Sequence, residues 1–381
     1  MIHFLALTKL TLTKFDHLTS EAVELLKALI ATPRTSCNEA AAATLFADFI
    51  AAKGFTPHRE ANNVWTIAPG YDERKPTLLL NAHLDTVKAV DGWTRDPLTP
   101  TIEDDRLYGL GSNDDGASLV ALTQAFCYVV QSQTASCKLQ ASPFNLILLA
   151  SAEEEVSGHD GIERVLPLLP KVDVALVGEP TGMQPAIAEK GLMVLDITAH
   201  GRAGHAARNE GDNALYHALD DIAWIRNYQF PKVSPLLGPV KMTATIIQAG
   251  TQHNVIPDRC TFTVDVRSNE CYTNQEIFET VQAHVQSEVH VRSFRLGSSR
   301  IAPEHPLVQC ILALGPTVDG HPRQTFGSPT LSDQALMSWP SLKMGPGQSA
   351  RSHTADEFIR IPELQAAIAD YIQLLQTLKK T

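Results

Sequence analysis

Thr77-Leu78-Leu79-Leu80-Asn81-Ala82-His83-Leu84-Asp85 is an apolar run that ends on an imidazole and a carboxylate. Its first five residues, Thr77 to Asn81, show no alternation, so they read as a strand buried on both faces. Two later runs, Phe144 to Ser151 and Val172 to Val177, have the same character, and a helix starting near Gly116 separates the first two strands. Upstream, Leu18 to Ala31 has helical spacing at Val23, Leu26 and Ile30, with Thr19 or Ser20 as cap and Pro33 as the stop. Asn38 to Lys53 is a second, Ala-rich helix closed by Gly54. The alternation predicts an α/β fold: a largely parallel sheet with helices on both sides.

The texture changes near Thr181. Leu192 to His200, Met242 to Gln248 and Cys260 to Arg267 alternate as half-exposed strands do. Asn213 to Arg226 and Thr273 to Ser287 read as helices, and His290 to Leu296 as a last strand. The order β-α-β-β-α-β is the split pattern of a ferredoxin-like α+β sandwich. A final helix runs from Pro362 to Lys379, with Pro in its first turn. One domain, 1–180 and 296–381, is therefore interrupted by an inserted one, 181–295.

Composition excludes several classes. With 44 % apolar and 19 % charged residues over 381 positions, the chain is globular rather than fibrous or disordered. A net charge of −11 without a basic run argues against nucleic acid as a partner. No apolar run approaches a membrane span, and Met1 to Leu7 lacks a cleavage site, so a membrane partner and a signal peptide are not expected. Cys37, Cys127, Cys137, Cys260, Cys271 and Cys310 form no C-x-x-C pair and fit reduced thiols in the cytoplasm.

Five segments carry the chemistry: Asn81 to Asp85, Gly109 to Gly116, Ala152 to Glu155, Val177 to Pro180, and Ser352 to Glu357. Four of them fall where a strand ends or just beyond, the place where open α/β sheets bind ligands. Each is modest alone: an H-x-D is usually a surface ion pair, and three glutamates are usually a solvated turn. Glu153-Glu154-Glu155 directly after a buried strand is different, because carboxylates there are costly unless a cation is near. His nitrogen and carboxylate oxygen are the donors that hold zinc-like cations, and adjacent ions need a shared carboxylate. Asp85, two residues beyond His83, is placed to fix the imidazole tautomer.

The five segments in this order resemble the dinuclear zinc hydrolase family of acetylornithine deacetylase, succinyl-diaminopimelate desuccinylase, aminoacylase and carboxypeptidase G. The likeness spans Thr19 to Lys379. Leu107 to Ser118, Val177 to Asp196, Gly201 to Asn213 and Gly327 to Met337 are similar to the acetylornithine deacetylase branch of Bacteroides-like bacteria, in which the acyl group is acetyl or succinyl. The resemblance implies a three-layer zinc-exopeptidase-like catalytic domain with an inserted lid and dimerisation domain. It implies two divalent metal ions, Zn2+ with Co2+ able to substitute: His83 and Glu179 on one, Glu155 and His353 on the other, Asp114 bridging. Glu154 is then the general base, and the Asp114–Asp115 peptide is expected to be cis. Many relatives have Lys where this chain has Gly116, so no basic role falls there.

Gly201 to Ala206 resembles the lid segment whose histidine, here His205, stabilises an oxyanion in the partner subunit's site. Asn254 and Arg267 resemble substrate-carboxylate contacts; Arg267 could equally pair with Asp265. The reaction implied is removal of an N-acyl group from a small-molecule N-acyl amino acid, ornithine first and citrulline next, in arginine biosynthesis, by a homodimer. A dipeptidase or carboxypeptidase uses the same chemistry. Competing signatures are absent: the sequence has no H-E-x-x-H, no G-x-S-x-G and no phosphate loop.

Overall fold

The computed structural model describes residues 15–135, 143–208 and 210–378. Met1 to Leu7, Cys137 and Lys379 lie outside them. The chain divides into two compact units. The first comprises residues up to Ile187, Ile301–Phe326 and Ser332 onward; the second comprises Ala188–Arg300 and Gly327–Leu331. The joints fall inside Ala186–Glu189 and after Arg300 rather than at 180/181 and 295/296. One strand spans the first joint: Ala186 pairs with Lys343, while Ala188 and Glu189 pair with Arg300 and Ser299.

In the first unit Thr77–His83 is buried along its whole length and lies parallel to Asn145–Ser151, in register from Thr77↔Asn145 to His83↔Ser151. Its other neighbour is Val174–Val177, again parallel, and Ser341–Lys343 runs parallel beyond that. Outside these four the sheet turns antiparallel. His58–Glu60 and Asn63–Ile67 form a hairpin at one edge, and Ala186 opposes Lys343 toward the other. The sheet is thus mixed, not largely parallel. Runs buried on both faces carry no information about direction, and the edge strands are short.

Leu79 packs with Trp65, Ile147, Leu149, Ile162, Val165, Val172 and Ala175 on one face. The strand period sends Leu78 and Leu80 to the other, where helix Gly116–Ala135 lies beneath Asp16–Ile30 and Ile361–Thr377. The result is the expected three-layer arrangement. The first helix starts earlier than its cap signal suggested. The Thr19 and Ser20 hydroxyls donate to the carbonyls of Phe15 (3.3 Å) and Asp16 (3.0 Å), so both residues sit inside the helix and neither is its N-cap.

The second unit is a four-stranded antiparallel sheet in the order Lys241–Ala249, Arg259–Arg267, Met193–His200, Glu288–Val291. Met193, Leu195, Ile197 and Ala199 alternate into its core against Phe262, Val264 and Val266, covered by Ala214–Asn227 and Asn274–His284. Asn213 caps the first helix by accepting the Leu215 N–H (3.0 Å), and Thr273 and Glu276 form a capping box on the second. The last strand begins two residues before His290 and stops at Val291, short of Leu296. Lys241–Ala249 is an edge strand, exposed over nearly all its length and bulged between Ala244 and Ile246.

Candidate metal centre

The strand Thr77–His83 extends two residues past the expected end, so His83 is its last residue, 2 % exposed. The imidazole is clamped. Nδ1 lies 3.0 Å from the Asp85 backbone carbonyl oxygen and 3.5 Å from its carboxylate. With Nδ1 so held, Nε2 is the nitrogen turned to the cluster, 3.1 Å from Asp114 Oδ1. The Asp85 carboxylate works mainly elsewhere. It accepts the Ser36 hydroxyl (2.6 Å) and the backbone N–H groups of Glu154 (3.1 Å) and Glu155 (3.2 Å). One acid therefore ties the end of the His83 strand to the glutamate turn.

That turn follows Asn145–Ser151. Glu153 adopts a left-handed conformation (φ +54) and opens a single 3-10 turn, Glu154–Val156. Glu155 faces His353, whose Nε2 is 3.0 Å from Oε2 and 3.1 Å from Oε1. The same nitrogen is 3.8 Å from Asp114 Oδ2. His83, Asp114 and Glu155 each bring a ligand atom within 4.8 Å of the others. Glu179 sits two residues beyond Val174–Val177, and its carboxyl feels the charges of Asp114 and His83. The Asp114–Asp115 peptide is cis. A side chain at Gly116 is excluded, since a Cβ there would collide with the Gly111 carbonyl and lie 2.7 Å from Leu26.

Crowding of acids sets the electrostatics. Burial, then the charges of Glu179, Asp333 and Glu155, pushes the Glu154 carboxyl well above the usual range. Burial raises Glu179 likewise, with Asp114 and Asp115 adding to it and Lys343 opposing. Burial opposes a charge on His83, yet its bonds to Asp114 and Asp85 hold the imidazole well above its ordinary value. Carboxylates outnumber imidazoles in a low-dielectric pocket, an arrangement that bound cations relieve. The donors are His nitrogen and carboxylate oxygen without cysteine, which fits zinc-like divalent ions.

Three supporting residues carry no recognisable pattern or only a faint one in the sequence. Arg34 donates to the carbonyls of Leu84 and Gly111 (2.8 Å to the latter). Asp333 accepts from Asn81 Nδ2 (2.8 Å) and the Ser151 hydroxyl (2.6 Å), bridging the two central strands. Glu357 accepts three backbone N–H groups of the Asp114 segment. Only Glu357 had a signal, its place in the last acidic segment.

In the second unit His205 pairs with Val255 in a two-residue ladder, and its Nδ1 accepts the Ala207 N–H (3.1 Å). Asn254 adjoins it, its carbonyl accepting the Ala206 N–H (2.9 Å). Both side chains are exposed. Arg267 forks onto Asp265 (2.9 and 3.2 Å), the ion pair that the sequence left open.

Residues 79–377 match the profile described as Peptidase family M20/M25/M40. The chain is 28 % identical over 361 residues to acetylornithine deacetylase of Pectobacterium carotovorum, covering 88 % of this chain and 92 % of that one. It is 24 % identical to succinyl-diaminopimelate desuccinylase of Delftia acidovorans, covering 95 % and 99 %. Among solved structures, Bacillus subtilis YXEP, described as a dinuclear metal-binding peptidase of the M20 family, superposes with a TM-score of 0.69 at 15 % identity, over 95 % of this chain and 98 % of that one.

Proposed function

The chain belongs to peptidase family M20/M25/M40, and from that premise we propose that it removes an acetyl or succinyl group from the α-nitrogen of ornithine, in the cytoplasm, as a step of arginine biosynthesis. His83 and Glu179 would hold one divalent ion and Glu155 and His353 the other, with Asp114 shared; zinc is the proposed metal, cobalt its substitute. When bound, the ions polarise the acyl carbonyl and make water acidic enough to attack near neutral pH. The convergence of His83, Asp114 and Glu155 at one set of strand ends is the observation that carries this reading.

Glu154 is the base. Its carboxyl is buried beside the cluster and is outside the proposed ligand set, so its oxygens are left to accept a proton from water. The C–O bond forms, the C–N bond breaks, and Glu154 passes the same proton to the departing amine. Asp85 holds the backbone beneath Glu154 and Glu155 and so aims both. His205 would donate to the developing oxyanion in the partner subunit's site, and Asn254 and Arg267 would hold the substrate carboxylate, with Arg267 sharing its fork with Asp265. The proposed assembly is a homodimer joined through the second unit. Its exposed edge strand supports this, because an unpaired edge is a template for a second copy. Nucleic acid and membrane are not proposed as partners; among the described residues no helix is long and apolar enough to cross a membrane.

The test is a panel of acetylornithine, succinylornithine, acetylcitrulline and several dipeptides, assayed with zinc or cobalt. Highest kcat/KM on an acylated ornithine is expected. Preference for acetylcitrulline, or for dipeptides, would replace the ornithine assignment.

A further inference from the structure

The segments Gly109–Gly116 and Gln348–Glu357 are stitched together by two reciprocal clasps. Asn113 reaches one way: its Oδ1 accepts the Gln348 N–H (2.9 Å), and its Nδ2 donates to the Gln348 carbonyl (3.1 Å) and the Ser352 hydroxyl (3.3 Å). Gly347, at φ +83, makes room, since a Cβ there would collide with Asn113 Oδ1. Glu357 reaches the other way. Its Oε1 accepts the N–H groups of Asn113 and Asp114, both at 2.8 Å, and its Oε2 accepts that of Gly111 at 2.9 Å. The Glu357 carbonyl also takes the Gly109 N–H (3.0 Å). His353 lies in sequence between the two clasps, and the peptide that carries Asp114 is one of the groups held.

We propose that Glu357 is a positioning residue for the metal pair, its carboxylate fixing the separation between Asp114 and His353 by gripping the backbone of residues 111–114. The inference rests on the metal reading above. Asp114 Oδ2 and His353 Nε2 stand 3.8 Å apart, beyond hydrogen-bond length, so no bond between them sets that separation; the segments they hang from do, together with their side-chain partners His83 and Glu155. A buried carboxylate suits this role, because it only accepts and its two oxygens serve three convergent N–H groups. Glutamine would keep the shape but turn an NH2 toward an N–H, leaving a buried donor unsatisfied and the loop free to shift. Losses behind a metal ligand typically weaken metal affinity about 10–100-fold.

Chelated wild-type protein, Glu357→Gln and Glu357→Asp are titrated with Co2+, following heat and the visible absorption of the bound ion. Two-equivalent binding by the wild type tests the metal reading by itself; if the wild type binds no cobalt, that reading falls and takes this inference with it. Glu357→Gln is expected to weaken both equivalents, because both use Asp114, the second and looser one by about 10–100-fold, and to alter the absorption band. Glu357→Asp, which keeps the charge and both oxygens, is expected to recover part of the loss. A Glu357→Gln protein with lowered thermal stability but wild-type affinity and spectrum overturns the inference, because the carboxylate would then only hold the fold. If Glu357→Gln does not fold, Glu357→Asp is read in its place; its shorter reach should still weaken the second equivalent, and unchanged affinity overturns the inference.

Discussion

Glu154 and Glu155 are neighbours with different surroundings. Glu155 faces His353, whereas Glu154 is pressed among the charges of Glu179, Asp333 and Glu155. Glu154→Gln is therefore expected to keep both metal equivalents and lose about 10²–10⁴-fold in turnover, the scale of one general base. Loss of metal in that variant would mean the two roles are exchanged. Asp370 supplies a prediction away from the site. Burial, only partly offset by Arg323, holds its carboxyl at about 6. An unfolded aspartate titrates near ~4, so the native state binds the extra proton between those values. The stabilisation is complete below pH ~4 and is lost as pH rises through 6. Urea unfolding of wild type and Asp370→Asn, at equal metal loading, should show the wild-type advantage shrinking by about 2–3 kcal/mol from pH 4 to 7. A pH-independent difference would contradict the shift. Ligand candidates were legible at this scale through five acidic or imidazole segments in one order and the family they resemble, since each segment alone reads as an ion pair or a turn. Arg34 and Asp333 were not, because what they hold is mostly backbone or uncharged polar groups far along the chain, which leaves no residue pattern; Glu357 showed only as the end of the last acidic segment.

The buried strands could be read from unbroken apolar runs and the amphipathic helices from periodicity; Asn213 and Thr273, the first residues of the two second-unit ranges, are in the structure their caps. Ser341–Lys343 could not be read. It has three residues, one of them a lysine, and it joins the sheet by its parallel register with Val174–Val177. Strand direction was likewise hidden in runs that are apolar on both faces. The edge strand Lys241–Ala249 carries a testable consequence. Beyond its bulge Ile246 and Ile247 are both exposed, 52 % and 47 %. If a second copy covers this edge, Ile246→Lys should shift sedimentation from dimer toward monomer while metal uptake is kept. A dimer that persists unchanged would place the interface elsewhere.

The whole molecule is a hydrolase of the M20 family in two units, one carrying the acid and imidazole cluster and the other the exposed His205 loop. That an α+β insert interrupts an α/β domain was evident from the change in periodicity near Thr181. Where the joints fall was not, because one continuous strand, Ala186–Glu189, serves both units. His83, Asp114, Glu155, Glu179 and His353 are proposed to gather two cations on which turnover depends. The direct measurement is to strip the purified protein with chelator, return zinc or cobalt in steps, and count bound metal against hydrolysis of an N-acyl amino acid. Uptake of two equivalents, with turnover rising as they bind, is the predicted result. Undiminished hydrolysis by the stripped protein, or no metal uptake at all, would contradict it.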